Sequence, residues 1–340
     1  MKRILKMLRK QHPSPLNYPL YVERGGEYAF PSPYLHRDAR LHSFLLPANS
    51  EKLQLLCDKC LNNPTKGKTN YQPVLPYVFL VFAKVEQVSS TQEQYYQRGW
   101  LKEVDVAFWI LTASFKKVAS VPILNGLAWF MPYIFVDKPF AMVAGRETFG
   151  FHKGMAEFTI PNLYEKADLF TIDTTVFESF SPTTEATKQR LLEVSQVDFS
   201  SEVPHLKRWH TVTEAASQIG LLLAKQQSSW MEKMLKPATN LFSSLDFTTT
   251  PLVFLKQFRD VHNPNQACYQ AIIEANITFP KFREGGILQG KYELLLNHFD
   301  SHPIANELGL KIGRQDILEA FWFDFDFIVE NGREVWKASG

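Results

Sequence analysis

From residue 71 onward the chain carries apolar runs of about 6 to 10 residues separated by polar turns, the length and spacing of antiparallel strands. Residues 78–85 (VFLVFAKV), 103–112 (EVDVAFWILT), 127–136 (LAWFMPYIFV) and 141–147 (AMVAGRE) form a first set of predicted strands. Residues 252–258, 267–279, 291–299 and 320–329 form a second. Upstream, 42–46 reads as a strand, and 11–40, rich in Pro, Tyr and Gly, as an extended wrapping segment. Asn49 or Ser50 can cap a short helix over 51–61 with Leu53, Leu56 and Cys60 on one face. Asn62, Asn63 and Pro64 end it. The polar stretch 86–98 reads as a long loop.

Between 160 and 250 the pattern is mixed. Residues 183–194 have helical composition, with Ala186, Leu191 and Leu192 apolar. The strongest helix signal is 211–236, where Thr213, Ile219, Leu222, Leu223, Trp230 and Met234 fall near one face and Pro237 stops the run. It suits a packing or subunit-contact element, or a lid over a site. Strands, a helical interlude and strands again do not make an alternating βα pattern, which disfavours a parallel doubly wound sheet. The expectation is an α+β fold, predominantly antiparallel β, in one domain spanning 1–340.

Composition narrows the function. Lys and Arg number 37 against 35 acidic residues, so no global field draws the protein to nucleic acid or to an anionic membrane. A hydrophobic fraction of 45% allows a sizeable core, and 27 phenylalanines favour sheet. Three cysteines make no disulfide framework and fit a cytoplasmic, reducing setting. The basic start MKRILKMLRK lacks the apolar centre of a secretory signal. It could touch a membrane surface weakly or form a terminal helix. No run approaches the 18 apolar residues of a membrane span.

Phosphate loops, dinucleotide fingerprints and paired-histidine zinc helices are missing from the sequence. Cys57 and Cys60 form a lone C-x-x-C without the second pair a zinc site needs, so they read as packed thiols. The nine histidines show no ligand spacing. No metal or cofactor is expected.

One segment stands apart, residues 141–158, AMVAGRETFGFHKGMAEF. Glycines 145, 150 and 154 permit close backbone approach around a single lysine, Lys153, set among Phe149, Phe151, Met155 and Phe158. Were its ammonium held out of water, desolvation would lower its pKa. The plain alternative is a solvated loop lysine.

The pattern GRE-x-x-GF-x-K resembles the signature of the acetoacetate decarboxylase family. Gly99-Trp100-Leu101-Lys102-Glu103-Val104-Asp105 resembles the family strand that brings a carboxylate into the site, Glu103 matching it. The runs at 254–258 and 268–270, His302-Pro303 and Phe325-Asp326-Phe327 through Trp336 are similar to the family's second half. The similarity spans about 25–158 and 250–337, so about 160–249 reads as an insertion. The resemblance implies a cone-like closed barrel with flanking helices and a helical insertion, a homo-oligomer, and a lyase acting on a small keto acid. It also implies that Lys153 forms the Schiff base, with Glu103 as acid/base or positioning group. Arg40, Arg146 and His152 are the candidates for substrate binding.

The departures are specific. His152 replaces the proline before the nucleophile, Gly154 replaces the second lysine, and the place of a second acidic group falls near Val81 or Phe82, both apolar. Acetoacetate decarboxylase is itself a standard example of a lysine activated by desolvation or a cationic neighbour. An unshifted lysine, pKa about 10.4, is less than about 0.1% free amine at pH 7, and lowering it by about 3 units takes roughly 4 kcal/mol. An ionised Glu103 beside it would act the other way, so Glu103 is expected to be protonated, distant, or engaged with Arg146 or Arg40. A plain strand carboxylate at Glu103 and an Arg146–Glu147 ion pair at a strand end are the structural alternatives. Aldolase or dehydratase chemistry would use the same iminium. A non-catalytic small-ligand binder would keep the barrel alone.

Overall fold

The computed structural model describes residues 19–25, 30–119, 121–162, 167–198, 208–225 and 250–338. Its strands begin with β1 (Tyr34–Pro47), β2 (Tyr71–Pro73), β3 (Tyr77–Ser90), β4 (Leu101–Val118), β5 (Val121–Val136), β6 (Lys153–Met155), β7 (Glu157–Thr159), β8 (Leu169–Val176) and β9 (Thr187–Asp198). They continue with β10 (Arg208–Trp209), β11 (Leu252–Arg259), β12 (Ala267–Ala275), β13 (Ile277–Ile287), β14 (Lys291–Leu296), β15 (Gly313–Asp316), β16 (Glu319–Val329) and β17 (Arg333–Lys337). The larger sheet runs β10-β13-β16-β1-β3-β4-β5-β11-β12-β17, with β2 added to β4 and β6 to β5. Its ladders are antiparallel except where β5 meets β6 and β11. A smaller sheet has the order β15-β14-β9-β8-β7.

The larger sheet curls. Strands β12 and β13 are separated only by Asn276, and β16 and β17 only by residues 330–332, yet β13 pairs with β16 near one end of the path and β12 with β17 at the other. One long bent pair of strands therefore belongs to both ends of the sheet. Among the described residues the ladder is still an open path, with free ends at β10 and β17, where a closed barrel was expected.

The strand readings at 78–85, 103–112, 127–136, 252–258, 267–279 and 320–329 match β3, β4, β5, β11, β12–β13 and β16. The short helix is Ser50–Cys57, and the Asn49 side chain accepts from the Lys52 amide at 3.0 Å as its cap. Cys57 is buried and Cys60 half-buried, both as free thiols, and burial pushes the Cys60 thiol up to about 11.

Three readings are corrected. Residues 141–147 lie in a helix, Pro139–Thr148, not a strand. A seven-residue apolar run cannot distinguish the two by periodicity, and the proline in its first turn was the helix signal. Residues 183–194 largely form β9 rather than a helix. A bulge there pairs Ile172 with Leu192 and Asp173 with Arg190, so Leu191 and Leu192 are both fully buried and strand alternation is lost. The loop at 86–98 contains the end of β3 and a short helix, Glu93–Tyr96.

The segment read as an insertion supplies β8 and β9 to the smaller sheet. Its helix runs Val212–Lys225, and the remainder of that reading, with Trp230, Met234 and Pro237, lies outside the described residues, as does the basic start. No helix among the described residues is long and apolar enough to cross a membrane.

Candidate active site

The inward face of β4 is set by alternation. Leu101, Glu103, Asp105, Trp109 and Leu111 all line one cavity of about 310 Å3. Glu103 and Asp105, two residues apart on a pleated strand, point the same way. Across the cavity wall, β6 lies parallel to β5, with Lys153 level with Ile134.

The glycine motif explains how Lys153 gets there. The Phe149, Gly150 and Phe151 amides all turn back to the Gly145 carbonyl at 3.1–3.2 Å, ending the helix Pro139–Thr148. Gly150 takes φ +84°, and a Cβ there would sit 2.4 Å from the Lys256 Cα. The chain then places Lys153 over Gly145 so closely that a Cβ would come within 2.9 Å of the Lys153 Cδ. Phe149 and Phe151 fill the space beneath, stacked at 5.0 Å.

The Lys153 Nζ lies 3.1 Å from the Glu103 Oε1 and 3.1 Å from the Asp105 Oδ2. Lys153 and Glu103 are 6% and 5% exposed, so the pair is shielded from water. The Phe151 ring lies 5.4 Å from the ammonium. Nearby, the His36 ring stacks on Phe327 at 4.1 Å. Burial, reinforced by the charge of Lys153, pushes His36 down to about 3, leaving it neutral near pH 7. Burial pushes the Tyr34 phenol up to about 12, and its hydroxyl lies 3.0 Å from the Thr148 Oγ1.

Burial works to lower the Lys153 pKa, but the charges of Glu103 and Asp105 outweigh it and hold the ammonium above the usual lysine range. The expected low-pKa amine is therefore corrected for this state. Glu103 is neither distant nor held by an arginine; it contacts Lys153 directly. Burial raises Asp105, against the pull of Lys153. Two carboxylates with one ammonium leave an excess negative charge in an apolar enclosure, and a proton shared towards Asp105 relieves it.

The other candidates are not brought to the cavity. Arg40 is exposed and its Nη1 donates to the Asn162 carbonyl at 3.2 Å. Arg146 is exposed too, and its Nη1 donates to the Lys153 carbonyl at 3.0 Å, fixing the backbone rather than lining the space. His152, next to Lys153, is exposed and absent from the lining. Sequence reasoning missed Asp105, His36 and Tyr34. Asp105 was legible by alternation from Glu103, and it places a second carboxylate beside Lys153, whereas Val81 and Phe82 are apolar.

The fold is thus a curled, largely antiparallel sheet around an apolar cavity, with a buried lysine beside two carboxylates. The sequence profile of acetoacetate decarboxylase matches residues 17–338, and the chain belongs to that family. Solved structures share the fold at low identity. An acetoacetate decarboxylase aligns with TM-score 0.57 and 12% identity, over 93% of this chain and 94% of its own. That of Legionella pneumophila subsp. pneumophila str. Philadelphia 1 aligns at 0.55 and 13%, over 95% and 93%. The enduracididine biosynthesis enzyme MppR complexed with pyruvate aligns at 0.53 and 13%, over 95% and 98%. No curated protein sequence matches.

Proposed function

We propose that this protein is a Schiff-base-forming lyase acting on a keto acid, with Lys153 as the amine. The observation that carries the reading is the Lys153 Nζ, buried at the polar end of an apolar cavity and 3.1 Å from both carboxylates. Its ammonium can pass a proton to Asp105, whose burial already favours the protonated form. In a site of low dielectric, the neutral amine and acid compete with the ion pair on terms that water would never allow.

The amine then attacks the ketone carbon while the carbonyl oxygen takes the proton from Asp105, giving a carbinolamine. Loss of water, with Glu103 or Asp105 as acid, gives the iminium. In a β-keto acid, breaking the bond between the α carbon and the carboxyl group releases carbon dioxide and sends its electron pair through the new enamine double bond to the iminium nitrogen. Protonation at carbon and hydrolysis free the product and restore Lys153. Arg146 is a positioning residue in this scheme, through its bond to the Lys153 carbonyl. The residues packed around Lys153, which is 6% exposed, keep water from the amine.

Borohydride reduction in the presence of acetoacetate or pyruvate tests the scheme. A mass increment at Lys153, absent from Lys153→Ala, is the expected result. A second reading has its own support: two carboxylates hold Lys153 charged, which suits a non-catalytic binder. Failure of every ketone and aldehyde tried to give an adduct would establish that reading and end the first.

A further inference from the structure

The cavity is far larger than a small keto acid requires, and its charged side chains, Lys153, Glu103 and Asp105, are gathered in one place. Asp105 and Leu111 both line it from β4, a stretch of about 20 Å at about 3.3 Å per residue. Along β16, Phe321, Phe323, Phe325 and Phe327 alternate onto the same lining. At the end away from Lys153, the helix Val212–Lys225 contributes Ala215, Ala216, Ile219 and Leu223. A water needs only about 10–15 Å3 by the probe-sphere measure, so about 310 Å3 is room for a ligand of many non-hydrogen atoms. Among the described lining residues Lys153 is the sole Lys or Arg, and it is already engaged by two carboxylates. A charged group at the far end would be desolvated without a partner.

We propose that the substrate is a carbonyl compound with a long uncharged hydrocarbon or aromatic arm, its carbonyl at Lys153 and its arm running along β4 and β16 to the helix Val212–Lys225. The proposal rests on the Lys153 site being where the carbonyl sits. The helix is then the far wall of the binding site, and its apolar stripe of Ile219 and Leu223 contacts ligand as well as sheet. A small ketone would fill one corner and leave the remaining lining without partner atoms.

The experiment uses the full chain and a series of methyl ketones: acetone, methyl hexyl ketone and methyl decyl ketone. Affinity is measured by calorimetry without reductant, and adduct formation separately with borohydride. Affinity should rise by up to about fourfold per added methylene while the arm stays inside the cavity. Ala216→Phe, which narrows the far end, should cut affinity for methyl decyl ketone at least tenfold. Affinity that is flat or falls with arm length overturns the proposal, even if acetone is trapped at Lys153. A steep dependence with no adduct upholds it as a binding specificity and removes the Schiff-base chemistry instead. The series on the unaltered protein decides by itself if the Phe variant does not fold.

Discussion

The Lys153 side chain crosses Gly145 at a distance that leaves no space for a methyl group, a Cβ there falling 2.9 Å from Cδ and 3.0 Å from Cε. The first glycine of the motif is thus a seat for the lysine, not a hinge. Gly145→Ala is expected to displace the amine from Glu103 and Asp105 and to reduce adduct formation by tenfold or more. Overpacking of this kind costs about 1–3 kcal/mol. The measurement is adduct yield beside urea unfolding; a fully active variant would refute the seat.

Gly150→Ala is predicted to be the worse substitution for folding. Its Cβ would meet the Lys256 backbone at 2.4–2.8 Å, and φ +84° is strained for any L side chain. A loss exceeding about 3 kcal/mol is expected in denaturant titration, the strain adding to overpacking. Stability within about 1 kcal/mol of the original protein would show that the Gly150–Lys256 contact yields easily.

Removing the ammonium should strand both carboxylates. Lys153→Met is expected to cost about 3–5 kcal/mol near neutral pH, the range for a broken buried pair. In the variant Asp105 is raised by burial with no cation to oppose it, so its contribution is favourable at low pH and lost as pH rises through its folded value. The stability deficit should therefore shrink on acidification towards pH 4. A deficit independent of pH would mean that the lost interaction is packing.

Asp105→Asn tests the proton acceptor. With one carboxylate gone, burial has less to oppose it and the Lys153 pKa moves down. The pH profile of borohydride trapping should shift to lower pH. The rate at its plateau should fall, because Asp105 no longer takes the proton. Glu103→Gln should shift the profile in the same direction with a smaller loss of plateau rate. Identical effects from both would assign no special role to Asp105.

Acid should destabilise the protein through its buried imidazoles. Burial is the main cause that holds His36 and His42 down at about 3, below the ordinary value of 6.5. Below pH 6.5 the unfolded chain binds protons that the folded chain refuses. Stability from these groups is fully present above 6.5 and lost as pH falls towards 3. Melting temperature should drop over that interval, and less steeply in His42→Leu.

How much of this was written along the chain can be said element by element. Long alternating runs such as 103–112 and 320–329 were readable because one face of each strand is buried, and burial fixes a period of two. The alternation of β4 even carried Asp105, since a residue two positions from Glu103 shares its face. The family signature gave the lysine. Residues 141–147 and 183–194 were misread because one run was too short to show its period and the other has it broken by a bulge at Leu191.

The charge state of Lys153 was a different matter. Sequence supplied an amine among phenylalanines, and local composition argued for a depressed pKa. Only the tertiary arrangement of β4 against β6 put Glu103 and Asp105 3.1 Å from the nitrogen, and at that distance two negative charges outweigh the cost of burial. Arg40, Arg146 and His152 were chosen for their place along the chain, but Arg40 is exposed on β1 beside the lining residue Leu41, and Arg146 and His152 are exposed on a helix and the connection that follows it. Residue type and spacing thus determined which groups this protein carries and which strands hold them. The direction each side chain faces, and so its pKa and its access to a ligand, came from contacts between segments far apart in sequence.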